Sequence, residues 1–345
     1  MTKVLITGGA GFIGMSAAER FIQKGWKVVI FDNLFRKGTE INLKYLQDTH
    51  AGKFTYIKGD VAVDQDKLAE HAKLADVILH LAGQVGVTTS VVNPREDFEI
   101  NALGTLNVLE AARLSGRNPM VIYASTNKVY GKLENVKITQ SDKRYDFAEL
   151  TKGVDEEMPV DFHSPYGCSK GTGDQYVRDY ARIYGLPTVV FRQSCIYGPN
   201  QFGVEDQGWV AWFSIAGLLG KPVTLYGDGK QVRDILHVSD LVDAYELAIA
   251  NMDAARGQIY NIGGGADLTL SLLELIEYLD KEFGIKIEHK FGSWRPGDQP
   301  IYVSNNTKLE KELGWKAKIN HKEGISSMIS WIKQNLPGIE RIFNS

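Results

Sequence analysis

The sequence has little of what marks secreted, membrane-spanning or nucleic-acid-binding proteins. Only two cysteines, Cys168 and Cys195, occur in 345 residues, which excludes a disulfide framework and a cysteine-based metal site. Its longest apolar runs fall far short of the roughly 20 residues that cross a bilayer. Lysine and arginine number 39 against 42 acidic residues, a net charge of −3, whereas proteins that hold nucleic acid by its phosphates are usually basic. We therefore expect no metal, no membrane contact and no nucleic-acid partner.

The composition is otherwise that of an ordinary globular protein. Hydrophobic residues make up 43% of the chain and charged residues 23%. The 35 glycines exceed the usual share, which favours tight turns or close approach of the backbone to a ligand. Residues 1–3 lead directly into a strand pattern and leave no room for a signal peptide, so we expect a cytoplasmic protein.

Apolar strand patterns alternate with helical patterns through the N-terminal half. Strands that are apolar along their whole length are typical of parallel sheets buried on both faces. The sequence therefore predicts an α/β fold with a Rossmann-type, doubly wound parallel sheet. The predicted strands are Lys3–Thr7, Lys27–Phe31, Phe54–Lys58, Val77–Leu81, Val121–Ala124 and Thr188–Arg192, and the predicted helices are Ile13–Lys24, Phe98–Arg113 and Thr172–Tyr184.

The pattern changes from about residue 198. Loops, an aromatic-rich helix at Gln207–Leu219 and a short strand at Thr224–Tyr226 predict a smaller, interleaved C-terminal substrate lobe. We expect an NAD-binding domain of residues 1–197 with a returning segment at about 230–262. The lobe would then comprise residues 198–229 and 263–345.

A glycine-rich loop follows the first predicted strand and opens the first helix. Gly8 permits a sharp turn, Gly11 lets the backbone approach a pyrophosphate, and Gly14 lets the helix pack on the strand. The first helical turn, with Phe12 and Ile13, offers unpaired N–H groups to the phosphates. This order of strand, loop, helix and strand predicts a dinucleotide site.

The second predicted strand ends at Asp32, 18 residues beyond the last glycine of the loop. A carboxylate there can accept both ribose hydroxyls and would repel a 2′-phosphate, which favours NAD over NADP. Arg36 and Lys37 nearby leave NADP open as an alternative.

Two further turns at strand ends fit the cofactor. A carboxylate at Asp60, with Val61, can reach the adenine amino group, with a cap of the next helix as the alternative role of Asp60. The turn Leu81-Ala82-Gly83-Gln84 is small enough to let the nicotinamide ribose approach.

A Tyr-x-x-x-Lys pair and a hydroxyl-bearing strand end point to one crevice. Tyr166 and Lys170 lie on one face if Tyr166 begins a helix, and a nearby ammonium favours the phenolate. Such a phenol can remove the proton of a sugar hydroxyl. Ser125 and Thr126 end a predicted strand, where ligands of open α/β sheets bind.

These motifs together resemble the extended short-chain dehydrogenases/reductases, the family of NAD-dependent nucleotide-sugar epimerases and dehydratases. The resemblance covers essentially the whole chain and is closest to the members that invert carbon 2 of a CDP-hexose. It rests on TGGAGFIG, HLAGQ, STNKVYG, DFHSPYGCSKG, NQFG, DQGWV, GDGKQVRDILHVSD, YNIGGG and RPGD.

The resemblance implies roles for individual residues. Tyr166 would be the general base, Lys170 its electrostatic partner and Thr126 the hydroxyl of the triad, with Ser125 as the neighbouring candidate. Tightly bound NAD would also contact Asn33 and Asn101. We interpret Lys128, which follows the triad hydroxyl, as pointing outward.

The resemblance also implies a substrate site in the lobe. Arg233 and Arg295 match the arginines that hold the substrate pyrophosphate, although each could instead form an ion pair with a neighbour. Trp209 could stack on the nucleobase or face the core, and Cys195 could be plain packing. The other predicted substrate contacts are Gln84, Thr126, Asn127, Gln193, Gln207 and Asp298.

The predicted function is C2 epimerisation of a CDP-hexose, of the paratose/tyvelose or the glucose/mannose type, through a 2-keto sugar. A UDP-sugar 4-epimerase is the alternative enzyme, and an NAD-sensing scaffold is the non-enzymatic one. A 4,6-dehydratase would carry an acid pair where Asn127 and Lys128 stand. We expect a homodimer or homotetramer, with helices 98–113 and 172–184 as its faces.

Overall fold

In a computed structural model, which describes residues 1–344, the chain forms one large sheet, three small ones and the helices around them. The strands are β1 (Lys3–Thr7), β2 (Lys27–Asp32), β3 (Phe54–Lys58), β4 (Val77–His80), β5 (Met120–Thr126), β6 (Ile138–Gln140), β7 (Tyr145–Phe147), β8 (Thr188–Gln193), β9 (Cys195–Tyr197), β10 (Val223–Tyr226), β11 (Val232–His237), β12 (Gln258–Ile262), β13 (Thr269–Ser271), β14 (His289–Gly292) and β15 (Ile301–Tyr302).

The helices lie between these strands. They are α1 (Phe12–Gln23), α2 (Thr39–Thr49), α3 (Gln65–Ala72), α4 (Val87–Val92), α5 (Pro94–Phe98), α6 (Gly104–Arg113), α7 (Ser164–Ile183), α8 (Trp209–Leu218), α9 (Val238–Ala250), α10 (Met252–Ala255), α11 (Leu272–Phe283), α12 (Thr307–Leu313) and α13 (His321–Asn344). A π-helical turn, Glu99–Leu103, joins α5 to α6, and a 3₁₀ turn, Asn127–Tyr130, follows β5. No helix of the described residues is long and apolar enough to cross a membrane.

The seven-stranded sheet is parallel throughout, in the order β12-β8-β5-β4-β1-β2-β3. The strand order reverses beside β1, which is the topological switch point where ligands bind in doubly wound sheets. Its central strands are buried on both faces, as their apolar sequences predict. The predicted α/β, Rossmann-type fold is therefore confirmed.

The remaining strands form the three small sheets, one of which pairs β6 with β7. β9, β11, β13 and β15 form a four-stranded sheet, and β10 pairs with β14 in parallel. Within the predicted returning segment, β12 joins the large sheet but β11 belongs to this smaller one. The proposed division of the chain into a domain and a lobe stays a prediction.

Two helix predictions differ from the structure in ways that matter for the site. The predicted helix Phe98–Arg113 is interrupted by the π-helical turn at its N-terminal end, and π-turns are frequent at functional sites. Helix α7 begins at Ser164 rather than Thr172, with Pro165 in its first turn. Its start brings Tyr166 and Lys170 onto one helix.

A buried histidine makes the large sheet sensitive to acid. His80, at the end of β4, is 1% exposed and lies between the hydroxyls of Thr7 (2.7 Å) and Thr105 (3.0 Å). Burial lowers its pKa to about 3. Between this value and the unfolded pKa of about 6.5, the unfolded chain binds the proton and the folded one does not. The stability that depends on neutral His80 is therefore fully present above pH 6.5 and is lost as the pH falls below this value.

We expect the free energy of unfolding to drop by about 2–3 kcal/mol from this group between pH 6.5 and 4.5, at about 1.4 kcal/mol per pH unit. Urea unfolding measured at half-unit pH steps tests this. His80→Asn should flatten the acid limb, while the matched variant of an exposed histidine, His289→Asn, should keep the wild-type slope. Equal slopes in all three proteins would contradict the assignment.

Candidate functional site

The glycine loop between β1 and α1 has the shape that a dinucleotide needs. Gly8 has a φ of +70°, and a Cβ there would strike the backbone that follows β4. A Cβ on Gly14 would collide with the Gly8 carbonyl oxygen. A Cβ on Gly11 would meet only that oxygen, at 3.2 Å, and no side chain caps the helix. The loop thus leaves room for a pyrophosphate at the first helical turn, Phe12 and Ile13.

Asp32 places a buried carboxylate beside this loop. Its oxygens accept hydrogen bonds from the backbone N–H groups of Ala10 (3.0 Å) and Leu34 (2.8 Å). Burial raises the pKa of Asp32, and these backbone bonds oppose the increase. Arg36 turns away from it and donates to Gln207 Oε1 at 2.5 Å. No arginine therefore reaches from this position toward a 2′-phosphate, which fits NAD rather than NADP.

Asn33 and Asp60 meet where β2 and β3 end. The Asn33 amide donates to Asp60 Oδ2 at 2.8 Å, and Asp60 Oδ1 accepts from the Ala62 backbone at 2.8 Å. Val61 is buried, and its carbonyl accepts from Asn107 at 2.9 Å. The structure thus brings the predicted adenine-side residues together, with Asp60 also stabilising the turn it begins.

The turn after β4 runs against the first strand. The Leu81 N–H donates to the Thr7 carbonyl at 3.0 Å, and the Ala82 N–H lies 3.5 Å from the Thr7 hydroxyl. A Cβ on Gly83 would lie 2.8 Å from Asn101 Oδ1 and 3.8 Å from Lys170 Nζ. A side chain at position 83 would therefore collide with Asn101, so this turn beside Lys170 needs glycine.

Asn101, in the π-helical turn, fixes the position of the same segment. Its amide donates to the Gln84 carbonyl at 3.0 Å and accepts from the Gln84 N–H at 3.1 Å. It also donates to Asp97 at 3.0 Å. The Gln84 side chain folds back onto the Gly86 backbone with bonds of 2.7 and 2.6 Å. Gln84 is therefore held by its own turn, whereas the prediction gave it a substrate contact.

The predicted triad assembles at the carboxyl end of β5. Thr126 is the last residue of that strand, and Tyr166 and Lys170 lie one turn apart in α7. Their exposed fractions are 6%, 8% and 6%. The Thr126 hydroxyl lies close enough to the phenol to oppose the effect of burial on the Tyr166 pKa. The Lys170 ammonium lies 4.2 Å from the ring centre of Tyr123, a cation–π contact.

Burial governs the protonation of the triad. It raises the pKa of Tyr166 to about 12, although the nearby charge of Arg36 lowers it. It lowers the pKa of Lys170 to about 7, although the carboxylates of Asp97 and Asp174 raise it. Desolvation of the phenol outweighs the charges that act on it, and the lowering of its pKa by Lys170 stays a prediction. The phenol is neutral near pH 7.

Ser125 is engaged elsewhere. Its hydroxyl donates to Asp174 Oδ2 at 2.7 Å, and Asp174 also accepts two bonds from Arg192, at 2.9 and 3.0 Å. Of the two candidate hydroxyls, Thr126 is the one beside the phenol.

The interpretation of Lys128 as pointing outward is wrong. Its side chain is 17% exposed, and Nζ lies 3.4 Å from the Gly297 carbonyl and 3.5 Å from Asp298 Oδ1. The same Asp298 oxygen accepts from Arg233 at 2.8 Å. Burial, joined by the charge of Arg233, lowers the pKa of Lys128, whereas Asp298 raises it. The lysine turns inward because the partly buried carboxylate of Asp298 lies there.

Arg295 lies on the same loop as Asp298. Its guanidinium carbon lies 3.9 Å from the ring centre of Tyr226, and its N–H groups donate to the Glu205 carbonyl at 3.1 and 3.2 Å. Gln207, two residues further on, accepts the bond from Arg36. The turn that contains Glu205 and Gln207 therefore links both predicted binding regions.

Trp209 and Cys195 lie near Arg233. Trp209 begins α8 and packs edge-on against Phe213, with ring centres 6.1 Å apart. Cys195 lies beside it, and burial raises the pKa of the thiol, while Arg233 lowers it. Both residues are partly buried.

Two predicted substrate contacts are already bonded within the protein. Asn127 Oδ1 accepts from the Thr126 hydroxyl at 3.3 Å, and the Gln193 amide donates to the Tyr245 hydroxyl at 2.6 Å. Both are buried. Their roles toward a sugar stay predictions.

Asp97 and Asp174 are not among the residues predicted from the sequence, and Arg36 was predicted only as a possible contact of NADP. Asp174 follows Lys170 by one helical turn, and that spacing is a signal the sequence offered. Nothing in the sequence indicated that the charge of Arg36 acts on Tyr166, because its hydrogen-bond partner Gln207 lies 171 positions further along the chain. Among residues 1–344, no group of three or more histidine, cysteine, aspartate or glutamate residues is arranged to hold a metal ion.

The chain is similar to known proteins over nearly its whole length. A family model described as GDP-mannose 4,6 dehydratase matches residues 5–328. The CDP-paratose 2-epimerase of Salmonella typhi is 45% identical over 335 residues, which cover 95% of this chain and 98% of that protein. The UDP-glucose 4-epimerase of Mycolicibacterium smegmatis is 33% identical, with coverages of 96% and 98%.

Solved structures show the same similarity. The dTDP-glucose 4,6-dehydratase of Streptomyces venezuelae, solved with NAD and TYD bound, matches with a TM-score of 0.84 at 28% identity. The match covers 99% of this chain and 100% of that one. The match therefore spans the glycine loop, the segments that contain Thr126, Tyr166 and Lys170, and the residues after 198.

Proposed function

Because the chain belongs to the GDP-mannose 4,6 dehydratase family of extended short-chain dehydrogenases/reductases, an NAD-dependent group, we propose that it inverts carbon 2 of a CDP-hexose. The expected family and cofactor are confirmed, and the chain is a nucleotide-sugar epimerase. The choice of carbon 2 and of cytosine is supported by the 45% identity to CDP-paratose 2-epimerase over 95% of the chain. That identity is the observation that carries the proposal.

The residues present fit a bound dinucleotide. The open Gly11 backbone and the uncapped start of α1 would hold the pyrophosphate, Asp32 the ribose, and the turn at Gly83 the nicotinamide end beside Lys170. NAD, when bound, supplies a hydride acceptor and a positive charge.

The triad supplies the acid–base chemistry. Inversion of a carbon that carries a hydroxyl requires that carbon to become planar, so the hydroxyl proton must leave and later return. Tyr166 Oη takes that proton in its phenolate form and later gives it back, and the Thr126 hydroxyl hydrogen-bonds the same oxygen of the sugar. Lys170 in its charged form favours the phenolate. Burial of all three side chains excludes water from the proton's path.

The diphosphate would be held in the lobe. Arg233 and Arg295 carry guanidinium forks that match phosphate oxygens. Both are anchored, one by Asp298 and one by the Tyr226 ring, so their positions are set before the substrate binds. When the diphosphate is bound in this way, the sugar can rotate while the nucleotide stays in place.

A UDP-sugar 4-epimerase is the second candidate, since the UDP-glucose 4-epimerase of Mycolicibacterium smegmatis is 33% identical over the same span. An NAD-sensing scaffold would not require the assembled Thr126, Tyr166 and Lys170, and the structure brings all three together.

Proton NMR of the purified protein tests the proposal. CDP-paratose, CDP-glucose, UDP-glucose and GDP-glucose are each incubated without added NAD. We expect the C2 epimer from a CDP-sugar and no conversion of the UDP- and GDP-sugars, which would establish the carbon, the base and a resident cofactor together. A C4 epimer would make the protein a 4-epimerase. No conversion of any of the four sugars would contradict the proposal.

The assembly and location of the protein belong to the same proposal. Large apolar side chains are exposed at both ends of the segment 98–114 and on α7, among them Phe98, Leu114, Tyr176 and Ile183. Exposed apolar residues of this kind favour association through these helices, as a homodimer or homotetramer. We place the enzyme in the cytoplasm, where nucleotide sugars would be available to it.

A further inference from the structure

We infer that Lys128 is a further substrate-binding residue, which holds the phosphate on the anomeric oxygen of the sugar and thereby places carbon 2 at Thr126 and Tyr166. The inference rests on the proposed function, because it explains why carbon 2 would be the carbon that reacts.

The charges around Lys128 do not balance. Lys128 and Arg233 are both cationic, and both lie against the one carboxylate of Asp298, at 3.5 and 2.8 Å. The three side chains are 17%, 10% and 24% exposed. A mostly buried cluster with one surplus positive charge is costly unless an anion completes it. A diphosphate is such an anion, and the predicted diphosphate residue Arg233 is a member of the cluster.

Lys128 also adjoins both arms of the triad. It follows Thr126 by two residues, and its N–H donates to the Thr126 hydroxyl at 3.2 Å. A Cβ on Gly167, next to Tyr166 in α7, would lie 3.3 Å from the Lys128 carbonyl oxygen. The Lys128 backbone therefore lies beside the triad, and a phosphate held by its ammonium stands within the length of one lysine side chain of that backbone.

The Gly297 loop closes the same space from the lobe. A Cβ on Gly297 would lie 2.9 Å from the His163 ring, directly before the start of α7. The carbonyl of Gly297 receives the Lys128 ammonium. The loop that carries Asp298 therefore contacts both the residue before the catalytic helix and the ammonium of Lys128.

This proximity selects one ring carbon. The phosphate is attached to carbon 1, and carbon 2 is its neighbour, whereas carbon 4 lies on the opposite side of the ring. A phosphate fixed beside the triad presents the carbon 2 hydroxyl to Thr126 and Tyr166. Presentation of carbon 4 would need the phosphate to be farther away by about the width of the ring.

Calorimetric titration of Lys128→Met with CDP and with CMP tests the inference, because only CDP carries the phosphate that becomes linked to the sugar. We expect the affinity for CDP to fall about 10- to 100-fold, the range for loss of a hydrogen bond to a charged group, and the affinity for CMP to change less than about threefold. The matched control is Lys137→Met. The side chain of Lys137 is 79% exposed, and the residue lies a short distance beyond Lys128 in the chain. This variant should bind both nucleotides like the wild type.

Folding is controlled separately. Methionine has nearly the length of lysine and removes a buried charge, and Lys128→Gln keeps a polar end as a second variant. Both should retain the unliganded melting temperature and lose most of the increase that CDP produces. An unchanged CDP affinity, or an equal loss for CDP and CMP, would overturn the role of Lys128.

UDP and UMP are titrated in parallel, so that the lysine is tested with whichever base the wild type binds. The proposed function is tested by the wild-type product in the NMR experiment above. A wild type that yields a C4 epimer would overturn the proposed function and the placement of carbon 2, while the titrations would still decide whether Lys128 holds the phosphate. A wild type that yields the C2 epimer, with Lys128→Met equally fast at the same KM, would overturn the inference alone.

Discussion

Replacement of Tyr166 by phenylalanine is expected to lower kcat by roughly 10²- to 10⁴-fold, the range for loss of a general acid–base group. The phenol oxygen is the group that the structure offers at the end of β5 for a sugar proton, beside the Thr126 hydroxyl. The ring is 8% exposed, and phenylalanine keeps its volume, so the fold should survive.

The measurement is the rate of C2 inversion by NMR, together with the NAD content of the purified protein. NAD should remain bound, because the glycine loop and Asp32 are untouched. Tyr176→Phe is the matched control, since Tyr176 lies on the same helix and is 46% exposed. A Tyr166→Phe enzyme within tenfold of the wild type would show that another group moves the proton.

Asp174→Asn is expected to destabilise the protein by about 3–5 kcal/mol, the usual cost of leaving a buried charge without its partner. Asp174 and Arg192 have side-chain exposures of 0% and 3%, and two hydrogen bonds join them. Arg192 is further bonded to the Tyr130 hydroxyl at 2.9 Å, so it has no route to solvent. Asparagine keeps the shape but leaves the guanidinium charge unbalanced.

Urea unfolding measures this loss through the midpoint and the slope. The control is Asp48→Asn, which breaks the exposed pair with Lys44 and should cost less than about 0.5 kcal/mol. The double variant Asp174→Leu with Arg192→Met should recover much of the stability, because neither position then carries a charge without its partner. A loss below about 1 kcal/mol for Asp174→Asn would contradict this account.

The Asp174 pair also connects stability to the site. Asp174 accepts the Ser125 hydroxyl, and Ser125 precedes Thr126 in β5. Its negative charge favours the ammonium form of Lys170, one helical turn away. The sequence indicated Ser125 as a second candidate for the triad, but the structure gives its hydroxyl to this buried pair.

Features that depend on residues close together in the chain could be predicted from the sequence. The apolar strands, the three glycines of the loop, Asp32 at the end of β2 and the spacing of Tyr166 and Lys170 each depend on neighbours within a few residues. Backbone conformation and hydrophobic periodicity are properties of short segments, so these patterns predicted the fold class, the cofactor and the triad. The similarity to known proteins confirms the first two.

Only the tertiary structure decided where the polar side chains point. Lys128 turns inward because it pairs with Asp298 there. Ser125 is held by Asp174, and Arg36 reaches across to Gln207. Each of these partners lies between 49 and 171 positions further along the chain. A long polar side chain takes the direction in which its charge or hydrogen bonds are satisfied, and that partner exists only once distant segments have packed together.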